Sequence, residues 1–192
     1  PGALLAVEAG LDGVEHGYGF LEDSMGQAVQ VPSDFDPSIR DHLFRYWYGR
    51  MHRNFDSDKA ENLIQSMVQS DVYFSPTLVN INRNARTLRD LQSNPLLRYI
   101  PEGDPNTLAS FGEEERREWS STMVRMKEVT RRFEQAGGLL IAGTDSANGA
   151  TLPGWSLHWE MELFVEAGIS PMGALQAATL NNARVLQMDR DV

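Results

Sequence analysis

The stretch Leu139-Leu140-Ile141-Ala142-Gly143-Thr144-Asp145-Ser146 places four apolar residues directly before a short polar segment. A short apolar run of this kind is typical of a strand buried on both faces of a parallel sheet. In parallel α/β barrels, residues at the carboxyl ends of the strands carry the chemistry. We therefore predict a strand over residues 139–142 and expect Asp145 to face a functional site. The alternative is that Asp145 only caps the following loop through its side chain.

Helical patterns flank this strand on both sides. Upstream, apolar residues recur at helical spacing from 119 to 133, and Gly137-Gly138 ends the pattern. Downstream, residues 157–165 predict a helix that ends at Gly168, and Ser170-Pro171 supplies an N-cap and a first-turn proline for another helix. The strand is thus predicted to lie between helices, as it does in a βαβ unit.

Two further helix–strand units precede this one. Residues 3–9 predict the end of a helix capped by Gly10, followed by a short buried strand that ends at His16. Residues 57–68 predict a helix, and residues 72–75 predict a second buried strand, followed by Pro76-Thr77-Leu78. This alternation indicates a parallel α/β architecture. Because eight β/α units need roughly 250 residues, three strands form part of a barrel, or partner units come from elsewhere.

Two segments, at about 21–56 and 80–112, interrupt this alternation and are interpreted as insertions. The first predicts a loop and a helix in which basic and aromatic residues alternate over residues 45–53. Such side chains could stack on a base or a ligand. The simpler interpretation, which we prefer, is an amphipathic helix that packs on the barrel or on a neighbouring subunit. The second segment is polar and predicts helical turns that lie over the strand ends as a lid.

Composition narrows the class of partner. The net charge of −10 and pI of about 4.8 oppose binding to nucleic acids or to anionic membrane surfaces, so a small-molecule substrate is expected. With no cysteine, a transition metal would have to be held by histidine and carboxylate groups. No apolar run reaches the ~18 residues of a membrane span.

The beginning of the chain, Pro-Gly without a methionine, indicates a piece of a longer protein. These residues contain no signal-peptide pattern, which a piece of a longer protein would not need to contain. The localisation is therefore left open, with a cytoplasmic protein favoured over a secreted one, and homo-oligomer formation is left open as well.

Several ordered motifs resemble the last three barrel strands of the amidohydrolase superfamily, in the branch that contains imidazolonepropionase-like and prolidase-like hydrolases. They are Ala9-Gly10-Leu11-Asp12-Gly13-Val14-Glu15-His16-Gly17, Ser75-Pro76-Thr77-Leu78 and Ala142-Gly143-Thr144-Asp145-Ser146. Residues 153–183, including Val165-Glu166-Ala167-Gly168-Ile169-Ser170-Pro171, are similar to the closing helices of that family. The resemblance implies that residues 1–192 form the C-terminal portion of a TIM-like (β/α)8 metal-dependent hydrolase barrel, with strands six to eight and the closing helices.

By this resemblance His16 binds the more exposed metal, while Asp145 binds the other metal and takes the proton of the attacking water. One or two divalent ions are implied, and zinc is favoured. The remaining ligands of the family are a His-x-His on the first strand, a carboxylated lysine or Glu on the fourth, and a His on the fifth. None can be placed in this chain, and the N-terminal half of the barrel and the small β-sandwich are also missing.

Three further residues are candidates for substrate binding. Tyr18 could bind a substrate carbonyl or pack under the first insertion, and Thr77 could line the pocket or be an ordinary strand residue. His158 could touch substrate or cap the helix after the third strand. His42 and His52 have no ligand spacing relative to each other and are predicted to be surface residues.

Two functions follow as hypotheses. The first is a metal-dependent hydrolase of C–N bonds in amides, cyclic amides or dipeptides, with Asp145 as the general base for a metal-activated water. The second is a non-catalytic interaction module that binds a partner chain through an exposed aromatic helix at residues 44–51.

Overall fold

A small parallel sheet forms the centre of the fold in the computed structural model, which describes residues 2–99, 111–146 and 151–190. Strand β1, Gly13–Glu15, pairs in parallel with strand β2, Tyr73–Ser75. The register matches Val14 with Phe74. Two of the three strands predicted from the sequence are thus confirmed, although each is short and β1 ends one residue before His16.

Residues 139–142 lie beside β2 but form one parallel bridge, between Phe74 and Leu140, in place of the predicted full strand. They share two hydrogen bonds with β2, from the N–H of Phe74 to the carbonyl of Leu139 at 3.0 Å and from the N–H of Ile141 to the carbonyl of Phe74 at 2.9 Å, while helices bind the groups at their outer edge. The N–H of Ala142 donates to the carbonyl of Ala177 at 3.0 Å. The side chains of Asn181 and Asn182 donate to the carbonyls of Leu140, at 2.8 Å, and Ala142, at 3.1 Å.

Helices make up most of the described residues. The first half contains α1 (Ala3–Glu8), α2 (Tyr18–Asp23), α3 (Arg40–His42), a π-helical turn (Leu43–Trp47), a 3-10 segment (Tyr48–Asn54) and α4 (Ser57–Gln69). The second half contains α5 (Leu78–Ala85), α6 (Leu88–Gln92), a 3-10 turn (Pro95–Tyr99), α7 (Glu113–Gln135), α8 (Trp155–Glu166), α9 (Pro171–Ala178) and α10 (Leu180–Val185). None of the helices in these ranges has the length and hydropathy to cross a bilayer.

The core lies between one face of the sheet and the helices. Phe74 contacts Phe20 of α2 and Phe133 of α7, with ring centroids 5.5 Å apart in both pairs. All three rings are fully buried. The opposite face of the sheet carries Glu15, which is exposed, and Tyr73, which is half-buried. The sheet therefore has one face packed on helices, as in an α/β layer arrangement.

The first inserted segment is a packed part of the molecule and not the exposed aromatic helix of our second hypothesis. Phe44 and Tyr48 are half-buried and form an aromatic cluster with Tyr18, and Phe44 also contacts the buried Trp119 of α7. Arg45 pairs with Glu115 of the same helix at 3.0 Å. Burial of the apolar faces and pairing of opposite charges hold this segment against α7.

His52 is likewise not the surface residue that we predicted. Its Nδ1 lies 3.1 Å from Thr122 Oγ1, and its Nε2 lies 3.3 Å from Glu118 Oε2. Burial lowers the pKa of His52, whereas the carboxylate of Glu118 acts in the opposite direction. His42 is half-buried, and its Nδ1 accepts a hydrogen bond from the N–H of Asp36.

The second segment also begins differently from the prediction. Residues 80–85 belong to α5, a helix whose apolar residues are buried against α7 and α8, so this part is core and not lid. Helix α6 begins with a capping box between Thr87 and Asp90. Residues 100–110 of the predicted lid lie outside the described residues.

Candidate functional site

The residues that follow the three parallel segments share an unusual backbone conformation. The φ angles of His16, Thr77 and Asp145 are 60°, 54° and 49°. Few residues other than glycine adopt this left-handed region, and for a β-branched residue such as Thr77 it is an outlier. Each such residue costs about 1–3 kcal/mol and persists only where its surroundings enforce it. The carboxyl ends of the sheet therefore contain local strain, which is typical of functional sites.

Hydrogen bonds join these three strand ends to one another. The N–H of His16 donates to the carbonyl of Ser75 at 2.8 Å, so the ends of β1 and β2 lie side by side. Asn80, in the first turn of α5, donates from Nδ2 to Asp145 Oδ2 at 3.1 Å. Since Asn80 follows Thr77 by three residues, this contact connects the end of β2 with the turn that carries Asp145. The structure thus brings His16, Thr77 and Asp145 together at the carboxyl end of the sheet.

Three buried polar atoms near these strand ends have no hydrogen-bond partner among the described residues: His16 Nδ1, Ser75 Oγ and Asn80 Oδ1. Native proteins leave few such atoms, and each one costs about 1–3 kcal/mol. Gly143 allows the third segment to approach, because a Cβ there would lie 2.5 Å from Ser75 Oγ. The site therefore combines strained backbone with polar groups that are not used in the fold.

Glu160 of α8 is a fully buried carboxyl group at the start of α5. Its Oε1 accepts a hydrogen bond from the N–H of Leu78 at 2.8 Å, and its Oε2 accepts one from Val79 at 2.7 Å. Burial raises the pKa of Glu160 to about 8, while the two N–H groups favour the charged form and oppose this shift. Thr77, the N-cap residue, makes no side-chain cap, so Glu160 replaces that cap.

We did not single out Glu160 from the sequence, although a signal was available. It lies in the apolar stripe of α8, beside Trp159 and one turn before Leu163 and Phe164, all of which are buried. A charged residue at a stripe position is seldom buried without a partner, so it indicates a specific polar contact. Asn80 offered a weaker signal, since an asparagine in the first turn of a helix is common.

The substrate-binding candidates occupy three different environments. The ring of Tyr18 is half-buried, stacks on Tyr48 at 4.6 Å and lies 6.3 Å from the ring of His16. Thr77 is 2% exposed, and its hydroxyl donates to the carbonyl of Ser75 at 3.4 Å. His158 is exposed on α8, whose N-cap is Gly154, so of the two alternatives for His158 the structure does not favour the helix cap.

The donor set is suited to only part of a metal site. The unpartnered nitrogen of His16 and the carboxylate of Asp145 are donors that zinc accepts. Over residues 2–99, 111–146 and 151–190, however, no group of three or more His, Asp or Glu side chains is placed to hold one ion. His16 and Asp145 could therefore complete a metal site only together with ligands from outside these ranges.

No family model and no curated protein matches this chain in sequence. Among solved structures, the chain is similar to a Xaa-Pro dipeptidase crystallised with methionine bound in its active site. The TM-score is 0.52 and the sequence identity is 17%, over 98% of this chain and 32% of the dipeptidase chain. The chain thus spans about a third of the length of that structure and shares the fold of the matched part.

Proposed function

We propose that this chain contributes the carboxyl ends of the last three strands of a TIM-like metal-dependent hydrolase barrel, which cleaves a C–N bond in an amide, cyclic amide or dipeptide. The observation that carries the proposal is the convergence of His16, Thr77 and Asp145 at the carboxyl ends of the parallel strands, where each residue has a left-handed conformation. In parallel barrels this end of the sheet is where catalytic residues gather. The structural similarity to a Xaa-Pro dipeptidase, which extends over 98% of the chain, supports the same assignment.

In this proposal His16 and Asp145 are metal ligands, and the orphaned, buried Nδ1 of His16 is the group best suited to that role. A bound zinc ion would lower the pKa of a water from 15.7 toward ~7 and polarise the scissile carbonyl. Asp145 is exposed, so its carboxylate can reach a substrate. It would accept the proton of the attacking water and return it to the leaving nitrogen.

Dipeptides are the first substrate class to test, because the similar structure is that of a dipeptidase. Tyr18 would contribute an aromatic wall beside His16, from which its ring is separated by 6.3 Å. Thr77 would act through the shape of the turn that it forms and not through its hydroxyl, which is bonded to Ser75. His158 lies at the start of α8 and would contact substrate only at the entrance.

The contacts of the first inserted segment do not support the interaction-module hypothesis. It required an exposed aromatic helix, whereas Phe44 and Tyr48 pack with Tyr18, and Phe44 also contacts Trp119. The basic residues of this segment are also engaged, since Arg45 and Arg53 pair with Glu115 and Glu118 of α7.

The test is hydrolysis of a panel of Xaa-Pro and other dipeptides, N-acyl amino acids and cyclic amides by the intact protein, with metal content measured before and after chelation. We expect chelation to abolish hydrolysis and zinc to restore it. Asp145→Asn should lower kcat at least about a hundredfold, because the general base is removed.

Asp71→Asn is the matched control, because Asp71 is also an exposed aspartate with a positive φ of 54°, located between α4 and β2. Hydrolysis that resists chelation would contradict the metal-dependent assignment. Equal activities of the wild type and Asp145→Asn would contradict the role of Asp145.

A further inference from the structure

We propose that Asn80 is a positioning residue that fixes the carboxylate of Asp145, and that the buried Glu160 holds the helix that carries Asn80. This inference rests on the proposed function, which it extends from the reacting groups to the residues that orient them. Asn80 lies outside the segments by which the chain resembles a known family, and that resemblance implies no role for Glu160. Both were identified from their contacts.

The contact with Asp145 defines the orientation of the Asn80 amide. Asn80 is 4% exposed, and its Nδ2 donates to Asp145 Oδ2 at 3.1 Å. An ionised carboxylate only accepts hydrogen bonds, so the amide nitrogen must face Asp145. The amide oxygen is then directed elsewhere and remains buried without a partner among the described residues. The contact with Asp145 is thus the one polar interaction in these ranges for which the Asn80 side chain is used.

Glu160 holds the first turn of the helix on which Asn80 lies. Asn80 is the third residue of α5, and Glu160 binds the N–H groups of the first and second residues, Leu78 and Val79. Two hydrogen bonds to one carboxyl group restrain both the rotation and the translation of this first turn. Any displacement of the turn would carry the Asn80 amide away from Asp145.

The contacts of Glu160 and of Asn80 connect the same two parts of the chain. Asp145 and Glu160 lie in the same stretch of chain, before and within α8, whereas Leu78, Val79 and Asn80 lie in α5. The same two parts of the chain are therefore joined twice, once through Glu160 in the interior and once through Asn80 at the site. Hydrogen bonds from such neighbouring residues determine how well a catalytic group is oriented.

The unpartnered oxygen of Asn80 allows its positioning role to be distinguished from a role in stabilising the fold. A buried polar atom without a partner destabilises the fold, so an apolar side chain of similar volume should be tolerated or even preferred at this position. Replacement of a positioning residue instead lowers the activity of the protein, while the stability of the fold is maintained. Stability and catalysis should therefore change independently in Asn80 variants.

The experiment compares Asn80→Leu with Asn84→Leu in the intact protein. Asn84 is the matched control, because it lies one turn further along α5, is 3% exposed, also has an unpartnered amide atom, and binds Arg83 and not Asp145. The measurements are the melting temperature, kcat and KM on the best substrate of the panel, and the conformation of the Asp145 side chain in crystal structures. Asn80→Ser serves as a smaller substitution in case leucine prevents folding.

For Asn80→Leu we expect a roughly ten- to hundredfold decrease in kcat, an unchanged KM, a melting temperature within about 3 °C of the wild type, and a reoriented Asp145 carboxylate. Asn84→Leu should leave kcat and Asp145 unchanged. An unchanged Asp145 conformation in both Asn80 variants, or equal decreases in kcat for Asn80→Leu and Asn84→Leu, would overturn the inference. Because the Asp145 conformation is measured without a substrate, it tests the inference even if the intact protein hydrolyses no member of the panel.

Discussion

At the scale of single residues, Glu160 shows how strongly burial changes the chemistry of a side chain. The carboxyl group is fully buried and bonded to two N–H groups, and its pKa is raised from 4.5 to about 8. A group with a raised pKa binds its proton more tightly in the folded state than in the unfolded state. Its contribution to stability is therefore complete below pH 4.5 and is lost as the pH rises to about 8.

We accordingly predict that the free energy of unfolding falls between pH 5 and pH 8 by as much as about 1.4 kcal/mol per pH unit through Glu160. Glu160→Gln should remove this dependence. The variant should be less stable than the wild type at pH 5, because glutamine can accept only one of the two N–H bonds, and the difference should shrink toward pH 8. Urea unfolding at several pH values measures both effects.

Glu162→Gln on the exposed face of α8 is the control and should retain the wild-type pH profile. Parallel profiles for the wild type and Glu160→Gln would show that Glu160 is not the group responsible.

At the scale of secondary-structure elements, the docking of the inserted segment on α7 is organised around Trp119. The indole is fully buried and contacts Tyr18, Phe44 and Phe111, with centroid distances from 5.9 to 6.1 Å. His52 adds a polar contact to the same helix through Thr122. This interface joins the first half of the chain to the second, so its loss should affect the whole fold.

We predict that Trp119→Ala lowers the free energy of unfolding by about 3–5 kcal/mol, because it removes a large buried ring and leaves a cavity. Trp119→Phe should cost less, since it keeps most of the aromatic contacts and removes an indole N–H that has no partner among the described residues. Urea unfolding checks both values.

Val124→Ala, at a position of α7 that is 63% exposed, controls for changes in the helix itself and should have little effect. A loss for Trp119→Ala as small as that for Val124→Ala would mean that the segment does not depend on this contact.

The helices of this fold could be predicted from the sequence more fully than its strands. Helices α4 and α7 were predictable because their apolar residues recur with a clear helical period, and Gly10 and Gly137 end helices with φ angles of 69° and 86°. Residues 139–142 were predicted as a strand from an apolar run, but such a run does not reveal that Asn181 and Asn182 occupy the strand edge.

The site residues divide in the same way. His16, Thr77 and Asp145 each lie at the end of a predicted strand or within three residues after it, so their placement at the carboxyl end of the sheet was a local inference. The contacts of Glu160 with Leu78 and of Asn80 with Asp145 join residues 82 and 65 positions apart, and no local pattern encodes such pairs. The left-handed conformations of His16, Thr77 and Asp145 were also missed.

At the scale of the whole molecule, the two edges of the sheet differ. The outer edge of residues 139–142 is occupied by α9 and α10, whereas β1, within the part of the chain that the structure describes, pairs with β2 alone. The unit that contains β1 also exposes three leucines, Leu4 at 44%, Leu5 at 54% and Leu11 at 56%. An unpaired strand edge beside apolar surface is a template for association with another chain.

We therefore predict that the polypeptide of residues 1–192, purified alone, associates with further copies of itself at the β1 side. Sedimentation velocity over a range of protein concentrations should show a weight-average mass that rises above the monomer mass of 21.5 kDa. Leu5→Lys should shift this rise to higher concentrations, because a charged group would have to be desolvated on association. Val124→Lys introduces the same charge at an apolar position of α7 that is 63% exposed, against 54% for Leu5, and should leave the association unchanged. A monomer at every concentration would contradict the prediction and show that the β1 edge is protected without a partner.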